Sequence, residues 1–411
     1  MRHLYIVGRL AIVLLSCMML VAPTAATGSL YNTAFARWRA VDGGFAAWQH
    51  DGVSQAADGT LRLDPLTAHP GSDPYPAGGY YGHNFYNGGS FVVGEALSPI
   101  VPTSFGFTEA IASWNADTPS GTWIETQIRA QLGNRWTKFY NLGVWAADNA
   151  TIERHSVNLQ GDADGFVAVD TLVLTNKKIL GNAFQLKFRL FSADGIAIPT
   201  LRSAAVAIST TPVKPRTLTP GNPALWNRTL AVPECSQMVY PDGGEVWCSP
   251  TSTSMVLAYW GVDPGLCELR VHKAVAGVYD WVYDGHGNWP FNTAYAATQS
   301  ANTQTLEGYV ARFTSLAAVE AWVAAGVPVV ISYAWKKSDL SGAPIASSNG
   351  HLAVVVGFDA AGNPIINDPA APDNDTVQRT YNRAELESLW LERSGGTVYL
   401  IYPSGWLVPA L

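Results

Sequence analysis

The first half of the chain alternates apolar and polar residues in short runs. Residues 123–132 and residues 185–190 place apolar side chains at every second position, which is the periodicity of a strand with one buried face. Turn signals such as Asn87-Gly88-Gly89 and Asp194-Gly195 separate the runs. Many short strands without helical periodicity must bury one face against a second sheet. Residues 28–210 therefore predict an antiparallel β-sandwich of jelly-roll type.

A cluster of prolines ends this pattern, and helices then mix with strands. Pro212, Pro215, Pro220 and Pro223 favour an extended connection, so residues 211–229 are interpreted as a linker. Residues 230–411 predict an α+β domain in which Asn382 begins a late helix through a capping box. The other elements predicted there are helices over 250–260 and 315–325 and strands over 327–333, 351–358, 364–367 and 397–402.

The N-terminus has the layout of a secretory signal peptide over residues 1–26. Arg2 and Arg9 precede an apolar run over residues 10–21, and small residues follow at 24–26. No later stretch reaches the roughly 18 apolar residues that a membrane span requires. We therefore expect a secreted protein without a membrane span. The alternative is a lipoprotein signal, in which Cys17 would be cleaved and lipidated.

Length and charge narrow the class of protein. The chain of 411 residues exceeds the size at which one hydrophobic core stops growing, so two domains are expected. The net charge of −7 gives no electrostatic reason to expect nucleic acid as a partner.

Removing the leader leaves an odd number of cysteines, at positions 235, 248 and 267. In an exported protein, an odd count indicates an intermolecular bridge or a free thiol. The economical hypothesis is a disulfide between Cys235 and Cys267 with Cys248 free.

Cys248 is the strongest candidate for chemistry. It stands immediately before the helix predicted from Pro250, where unpaired backbone N–H groups favour a thiolate. The alternative is a buried structural cysteine, which is common for this residue type. The flanking sequence Trp247-Cys248-Ser249-Pro250 favours the nucleophile.

A histidine and an aspartate fall on one predicted hairpin. His351 begins an otherwise apolar strand, and Asp368 ends its partner. A two-residue turn at Ala360 and Ala361 would make them diagonal neighbours on one face, whereas a three-residue loop would reverse the parity. A carboxylate can then orient an imidazole that takes the proton of a thiol, which predicts a Cys–His–Asp triad forming a thioester acyl-enzyme.

The tetrahedral intermediate also needs donors for its oxyanion. The backbone N–H of Cys248 and the side chain of a preceding glutamine are the usual donors, and Gln237 is the only glutamine within thirty residues upstream.

These motifs carry a resemblance. The stretches WCSPTSTSMVLAYWG and NGHLAVVVGFD with INDPA resemble the C39-like papain-fold cysteine peptidase domain of secreted bacterial proteins, over about residues 230–405. The resemblance implies a papain-like α+β fold with Cys248, His351 and Asp368 as triad and Gln237 at the oxyanion hole. Two features depart from the family: Gln237 stands eleven residues before the cysteine, and Ser249 replaces a common glycine.

The remaining candidates concern substrate. Trp247 and Trp289 are candidate substrate-binding residues, and the glycine-rich stretch 284–289 is expected to border the cleft. No histidines stand at metal-ligand spacing, so neither a metal nor a cofactor is expected. In the first domain, residues 114–117 and the polar face of 123–129 could stack on and bind sugar, or could form an ordinary sheet face.

The sequence thus predicts a secreted thiol hydrolase that cleaves peptide bonds in a peptide or protein substrate. One alternative is the same chemistry on cell-wall stem peptides, with the first domain contacting glycan. The other is a surface or glycan-binding protein whose peptidase-like domain has lost turnover.

Overall fold

The computed structural model describes residues 27–411, except residues 177, 211–212 and 264. The predicted signal peptide and Cys17 therefore lie outside the described residues. The chain forms a β-rich N-terminal half, residues 27–217, and an α+β C-terminal half, residues 228–411.

Strands of the N-terminal half are short and follow one another without an α-helix in the described residues. They are β1 (Thr27–Leu30), β2 (Thr33–Arg39), β3 (Gln49–Asp51), β4 (Val53–Gln55), β5 (Leu61–Leu63), β6 (His69–Ser72), β7 (Ser90–Leu97), β8 (Val101–Phe107), β9 (Glu109–Asp117), β10 (Thr122–Leu132), β11 (Arg135–Trp136), β12 (Tyr140–Trp145), β13 (Gly165–Ala168), β14 (Thr171–Leu174), β15 (Gly181–Ser192), β16 (Thr200–Ser209) and β17 (Val213–Thr217).

Two antiparallel sheets share the core of this half. One has the order β11-β10-β15-β7-β3, with β12 also paired with β10, β6 with β7 and β8 with β15. The other has the order β13-β14-β9-β16-β5-β4, with β2 on β16. The alternation in β10 and β15 brings Ile124 opposite Leu190 and Ile128 opposite Leu186, and all four pack in the core with Ala112 of the second sheet. Strand β17 pairs with β1 in a separate ribbon.

The outer face of β10 is covered rather than solvated. Trp123 and Glu125 are buried, because Tyr86 and Phe91 pack over them. The hydroxyl of Tyr86 donates to Glu125, whose charge is also matched by Arg189 at 3.4 Å. These side chains are therefore not available to stack on a sugar.

The C-terminal half places helices around one antiparallel sheet. Its helices are α1 (Cys248–Tyr259), α2 (Cys267–Val278), α3 (Trp289–Ala297), α4 (Leu316–Ala324) and α5 (Arg383–Ser394). Its strands are β18 (Arg228–Thr229), β19 (Ser300–Ala301), β20 (Gln304–Arg312), β21 (Val329–Trp335), β22 (Ser348–Phe358), β23 (Pro364–Asn367), β24 (Gln378–Thr380) and β25 (Thr397–Pro403). The sheet order is β19-β20-β25-β21-β22-β23-β24, with β18 on β22.

Local sequence explains where the helices begin and end. The side chain of Asn382 accepts a hydrogen bond from the backbone N–H of Glu385 at 3.1 Å, and Gly395 ends α5 in the left-handed conformation. Helix α1 is buried from Ser249 to Ala258, because β22 lies against one side and α2 and α3 lie against another.

The two halves meet through a buried interface. The ring of Phe291 in α3 packs against the rings of Trp114 and Trp145 in the N-terminal half. The side-chain amide of Asn115 donates to the carbonyl of Gly308 at 2.7 Å and accepts from its N–H at 3.3 Å. A Cβ at Gly308 would lie 2.2 Å from a carbonyl of α3, so glycine is required there for α3 to approach β20.

Candidate active site

Cys248 is the first residue of α1, and its thiol is free. The preceding residue, Trp247, provides no side-chain cap, and Pro250 has no N–H to donate. Because Cys248 is the first residue of α1, its half-buried side chain lies at the positive end of the helix dipole.

His351 lies on β22, paired with Tyr333 of the neighbouring strand, and only 2% of its surface is exposed. Its Nε2 lies 2.8 Å from Oδ1 of Asp368. The rings of Tyr333 and Trp335 each form a T-shaped contact with its ring, with the ring centroids 5.4 Å apart, and these contacts restrict its orientation. With Nε2 taken by the carboxylate, Nδ1 is the nitrogen left to interact with the thiol of Cys248.

Asp368 follows β23 and is completely buried, yet its carboxylate is well supplied with donors. Oδ1 accepts from His351 and from the N–H of Ala370 at 2.9 Å. Oδ2 accepts from the hydroxyls of Tyr333 at 3.1 Å and Tyr381 at 2.6 Å. Burial alone would raise the pKa of Asp368, but His351 and these hydrogen bonds outweigh it and lower the pKa below its usual range.

The same contacts act on His351 in the opposite direction. Burial alone would lower the pKa of His351, but the Asp368 carboxylate, and then the Cys248 thiol, raise it well above its usual range. The ring is therefore held as an imidazolium over a wide range of pH. Such a ring stabilises a thiolate beside it and can later donate a proton.

The hairpin that joins His351 to Asp368 reaches the predicted register by another route. Its loop has three residues, Ala360 to Gly362, rather than two, and Gly362 has a φ of +81°. The longer loop pairs Phe358 with Pro364, which reverses the parity. A bulge between Val355 and Gly357 then restores it, so that Val354 faces Asn367 and the alignment continues to place His351 and Asp368 on one face.

Gln237 lies in the segment before α1, where its N–H donates to the carbonyl of Pro369 at 2.8 Å. Its side-chain Nε2 donates one hydrogen to the carbonyl of Gly244 at 2.8 Å, which leaves the second hydrogen free of that bond. The side chain is 98% buried, and Oε1 has no hydrogen-bond partner among the described residues. Gln237 and Cys248 border the same cleft.

That cleft has a volume of about 880 Å³ and is formed by both halves of the chain. Cys248 and His351 come from the C-terminal half, together with the stretch 283–287. The hairpin tip 168–171 and Glu109 come from the N-terminal half. The N-terminal half is thus one wall of the candidate active site.

The other predicted site residues lie near the cleft. Trp289 borders the cleft, whereas Trp247 is buried against the rings of Tyr240 and His272 and is not among the residues that line it. Cys235 and Cys267 form a disulfide, which ties the segment carrying Gln237 to the start of α2. Disulfides are typical of proteins outside the reducing cytoplasm.

Neither the sugar candidates nor a metal site adds to this picture. Trp114 and Asn115 are completely buried in the interface between the halves. In the described parts of residues 27–411, no cluster of three or more histidine, cysteine, aspartate and glutamate side chains could hold a metal ion. In the same residues, no helix is long and apolar enough to cross a membrane.

Sequence reasoning missed three residues that lie near Cys248, His351 or Asp368. Tyr333 and Tyr381 hold Asp368, and Asp170 enters the cleft from the N-terminal half. The tyrosines depend on strand order, which a single sequence does not reveal. The stretch Ala168-Val169-Asp170-Thr171 could have drawn attention to Asp170, because it is a tight turn that contains a β-branched residue.

The fold and this site define a class: a β-rich region joined to an α+β domain of the peptidase type. Comparison with family models agrees. Residues 229–398 match the model described as Peptidase_C39 like family, and residues 34–209 match the model described as Peptidase C39 N-terminal domain. The two matches support a C39-like peptidase domain in this chain, which confirms the resemblance seen in the two motifs.

Other comparisons add little. A search of curated proteins found no match. A solved structure, "Structure of a family two carbohydrate esterase from Cellvibrio japonicus", aligns with 67% of this chain at 12% identity and a TM-score of 0.18. The alignment spans 63% of that protein's length. A TM-score this low carries no argument about fold or function.

Proposed function

We propose that this protein is a cysteine peptidase that hydrolyses peptide bonds through Cys248, His351 and Asp368. The observation that carries the proposal is the buried His351–Asp368 pair, joined at 2.8 Å, in the same cleft as the only free thiol of the described residues. A carboxylate that fixes an imidazole beside a thiol at a helix N-terminus is the arrangement that acyl transfer requires.

The reaction takes two steps. The imidazolium of His351 already holds the proton of the thiol, and the thiolate of Cys248 attacks the carbonyl carbon to form a tetrahedral intermediate, from which the C–N bond breaks. The imidazolium gives its proton to the leaving amine, which leaves a thioester. Water then attacks the thioester as His351 accepts a proton from it, and the acid product and the thiolate are released.

Charge on the tetrahedral oxygen is stabilised by donors at the start of α1. The backbone N–H of Cys248 and the second hydrogen of Gln237 Nε2 are the two donors in this proposal. The contact between Gln237 Nε2 and the Gly244 carbonyl supports it, because that contact fixes the amide plane in advance.

The finer descriptions of fold and location belong to the same proposal. A jelly-roll strand order for residues 28–210 and a papain-like fold for 230–411 are supported by the two sheets and the α+β half. The linker over 211–229 stays a prediction, and it contains β17, which pairs with β1, and β18, which pairs with β22. Secretion through the leader over residues 1–26 is supported by the disulfide between Cys235 and Cys267.

The test is thiol-dependent turnover. Wild type and Cys248→Ala are assayed on a fluorogenic peptide library and on purified peptidoglycan, with His351→Gln as a second inactive variant. His69→Gln is the matched control, because it changes an exposed histidine of the N-terminal half. We expect the first two variants to lose at least 1000-fold in kcat/KM, as removal of a triad member does. Turnover that persists in Cys248→Ala, or a wild type that turns over neither substrate class, would contradict the proposal.

A further inference from the structure

The hairpin of β13 and β14 inserts a strained tip into the candidate active site. Ala168 pairs with Thr171, so Val169 and Asp170 form a two-residue turn. Val169 has a φ of +59°, a conformation that is costly for a β-branched residue. Strained backbone persists where the surrounding structure or a function demands it, and residues 168–171 all line the cleft that contains Cys248.

Asp170 at this tip is a buried carboxylate that interacts electrostatically with Arg312 but forms no ion pair with it. Its exposed fraction is 5%. Oδ1 accepts from the hydroxyl of Thr171 at 2.9 Å, and Oδ2 accepts from the backbone N–H of Trp289 at 2.7 Å. Each oxygen can accept a second bond. Among the described residues, no lysine or arginine forms an ion pair with it, and Arg312 across the cleft is paired with Glu109 at 2.6 Å.

The surroundings of Asp170 disfavour a negative charge on its carboxyl group. Burial is the first cause that raises its pKa, to about 6, although its hydrogen bonds oppose the shift. Asp170 interacts electrostatically with Asp280, Arg312, Tyr283 and Tyr399. The other ionisable groups that line the same cleft are Glu109, Glu245, Cys248, Asp284, His286 and His351. The folded protein therefore retains an acid that it stabilises poorly, as binding sites often do.

Most of the other charged side chains that line the cleft are acidic, as Asp170 is. Histidines, tyrosines and the thiol apart, its ionisable lining residues are four acids and one base. The acids are Glu109, Asp170, Glu245 and Asp284, and the base is Arg312. Asp170 and Cys248 line the same cleft, and Tyr283, which also lines it, interacts electrostatically with both.

We propose that Asp170 is a specificity residue, which binds a primary ammonium group of the peptide substrate close to the scissile bond. This proposal rests on the proposed peptidase function and names its substrate class: peptides with a lysine-like side chain or a free α-amine beside the cleaved bond. An ammonium group has three hydrogen-bond donors and a positive charge. It can therefore donate to the free lone pairs of the Asp170 carboxylate and balance its negative charge. The N-terminal half would thereby select the substrate for a nucleophile on the other half.

The competing interpretation is that Asp170 only ties the hairpin to α3. Asp170→Asn separates the two roles. The amide oxygen can still accept from the N–H of Trp289, and the amide nitrogen can donate to the hydroxyl of Thr171, so the tie survives while the charge is lost. Asp284→Asn is the matched control, because Asp284 is an exposed acid of the same cleft at a φ of +52°, which asparagine tolerates.

The first experiment measures selectivity as a ratio. Acetylated fluorogenic peptides with lysine, arginine or norleucine at each position near the scissile bond are compared with norleucine peptides that have a free N-terminus. We expect kcat/KM for one ammonium-bearing series to exceed that for neutral peptides at least tenfold, and Asp170→Asn to bring the ratio close to one. Asp284→Asn should change it less than threefold. A wild type without the preference, or a preference that Asp170→Asn retains, overturns the proposal.

A second experiment needs no turnover, so its failure differs from failure of the peptidase proposal. Cys248 is modified with cationic 2-aminoethyl methanethiosulfonate or neutral propyl methanethiosulfonate, and each rate is divided by the rate with free glutathione. We expect the normalised preference for the cation to be at least tenfold higher in wild type than in Asp170→Asn at pH 7.5. It should disappear at pH 5, where Asp170 is protonated. Equal preferences in the two proteins at pH 7.5 would refute the role of Asp170, whatever peptides the enzyme cleaves.

Discussion

Replacing Asp368 by asparagine tests the electrostatics of the site most directly. The substitution keeps the shape of the side chain but removes the charge beside His351. The pKa of His351 is about 10, against 6.5 for an unperturbed imidazole. Burial opposes the charge on the ring, and its neighbours outweigh burial; since a pKa difference of one corresponds to about 1.4 kcal/mol, the net stabilisation of the imidazolium is roughly 5 kcal/mol. Asp368 is the largest of the favourable causes, so at least about 3 kcal/mol should be lost.

A loss of that size corresponds to a decrease of about 100-fold or more in kcat/KM. The assays are turnover of a fluorogenic peptide from pH 5 to 9 and the rate of Cys248 alkylation by iodoacetamide at pH 6, which we expect to fall at least tenfold. Tyr381→Phe is the control, because it removes one donor to Asp368 and keeps the charge, so its loss should stay below about tenfold. A folded Asp368→Asn protein within threefold of wild type in both assays would refute this account of the pair.

Three further predictions concern the oxyanion donor, the disulfide and the buried acid. Gln237→Ala should lower kcat about 10²–10³-fold with little change in KM, as measured by steady-state kinetics; an effect on KM alone would contradict the assignment. Replacing Cys235 and Cys267 by serine opens a loop with a sequence separation of 32 and should lower the free energy of unfolding in urea by about 4 kcal/mol. Because the pKa of Asp170 is raised to about 6, its stabilising contribution is full below about pH 4 and is lost as pH rises through 6. Asp170→Asn should therefore have a higher Tm than wild type at pH 7.5 but not at pH 4, and a lower Tm at pH 7.5 would indicate a purely structural role.

Local pattern was enough to predict the elements that carry Cys248 and His351. The apolar run after His351 and the cysteine before Pro250 correspond to β22 and α1. The alternation near residue 124 likewise marks β10. Each of these signals lies within one element, so neighbouring residues suffice to read it.

What the sequence did not reveal depends on contacts between distant elements. Helix α3 has no apolar stripe because nearly every face of it is buried, so no helical period stands out. The bulge near Val356 that realigns His351 and Asp368 has no signature in an apolar run. The arrival of Asp170 in the cleft depends on how the two halves pack, which no local pattern encodes.

The interface around Phe291 also limits how this protein can change. Its ring packs against Trp114 and Trp145, and the side-chain amide of Asn115 forms hydrogen bonds with the backbone of β20. The two surfaces are therefore complementary. A chimera that joins either half to a foreign partner would lose these contacts and expose large aromatic rings to water. We therefore expect a substitution on one side of this interface to require a compensating change on the other.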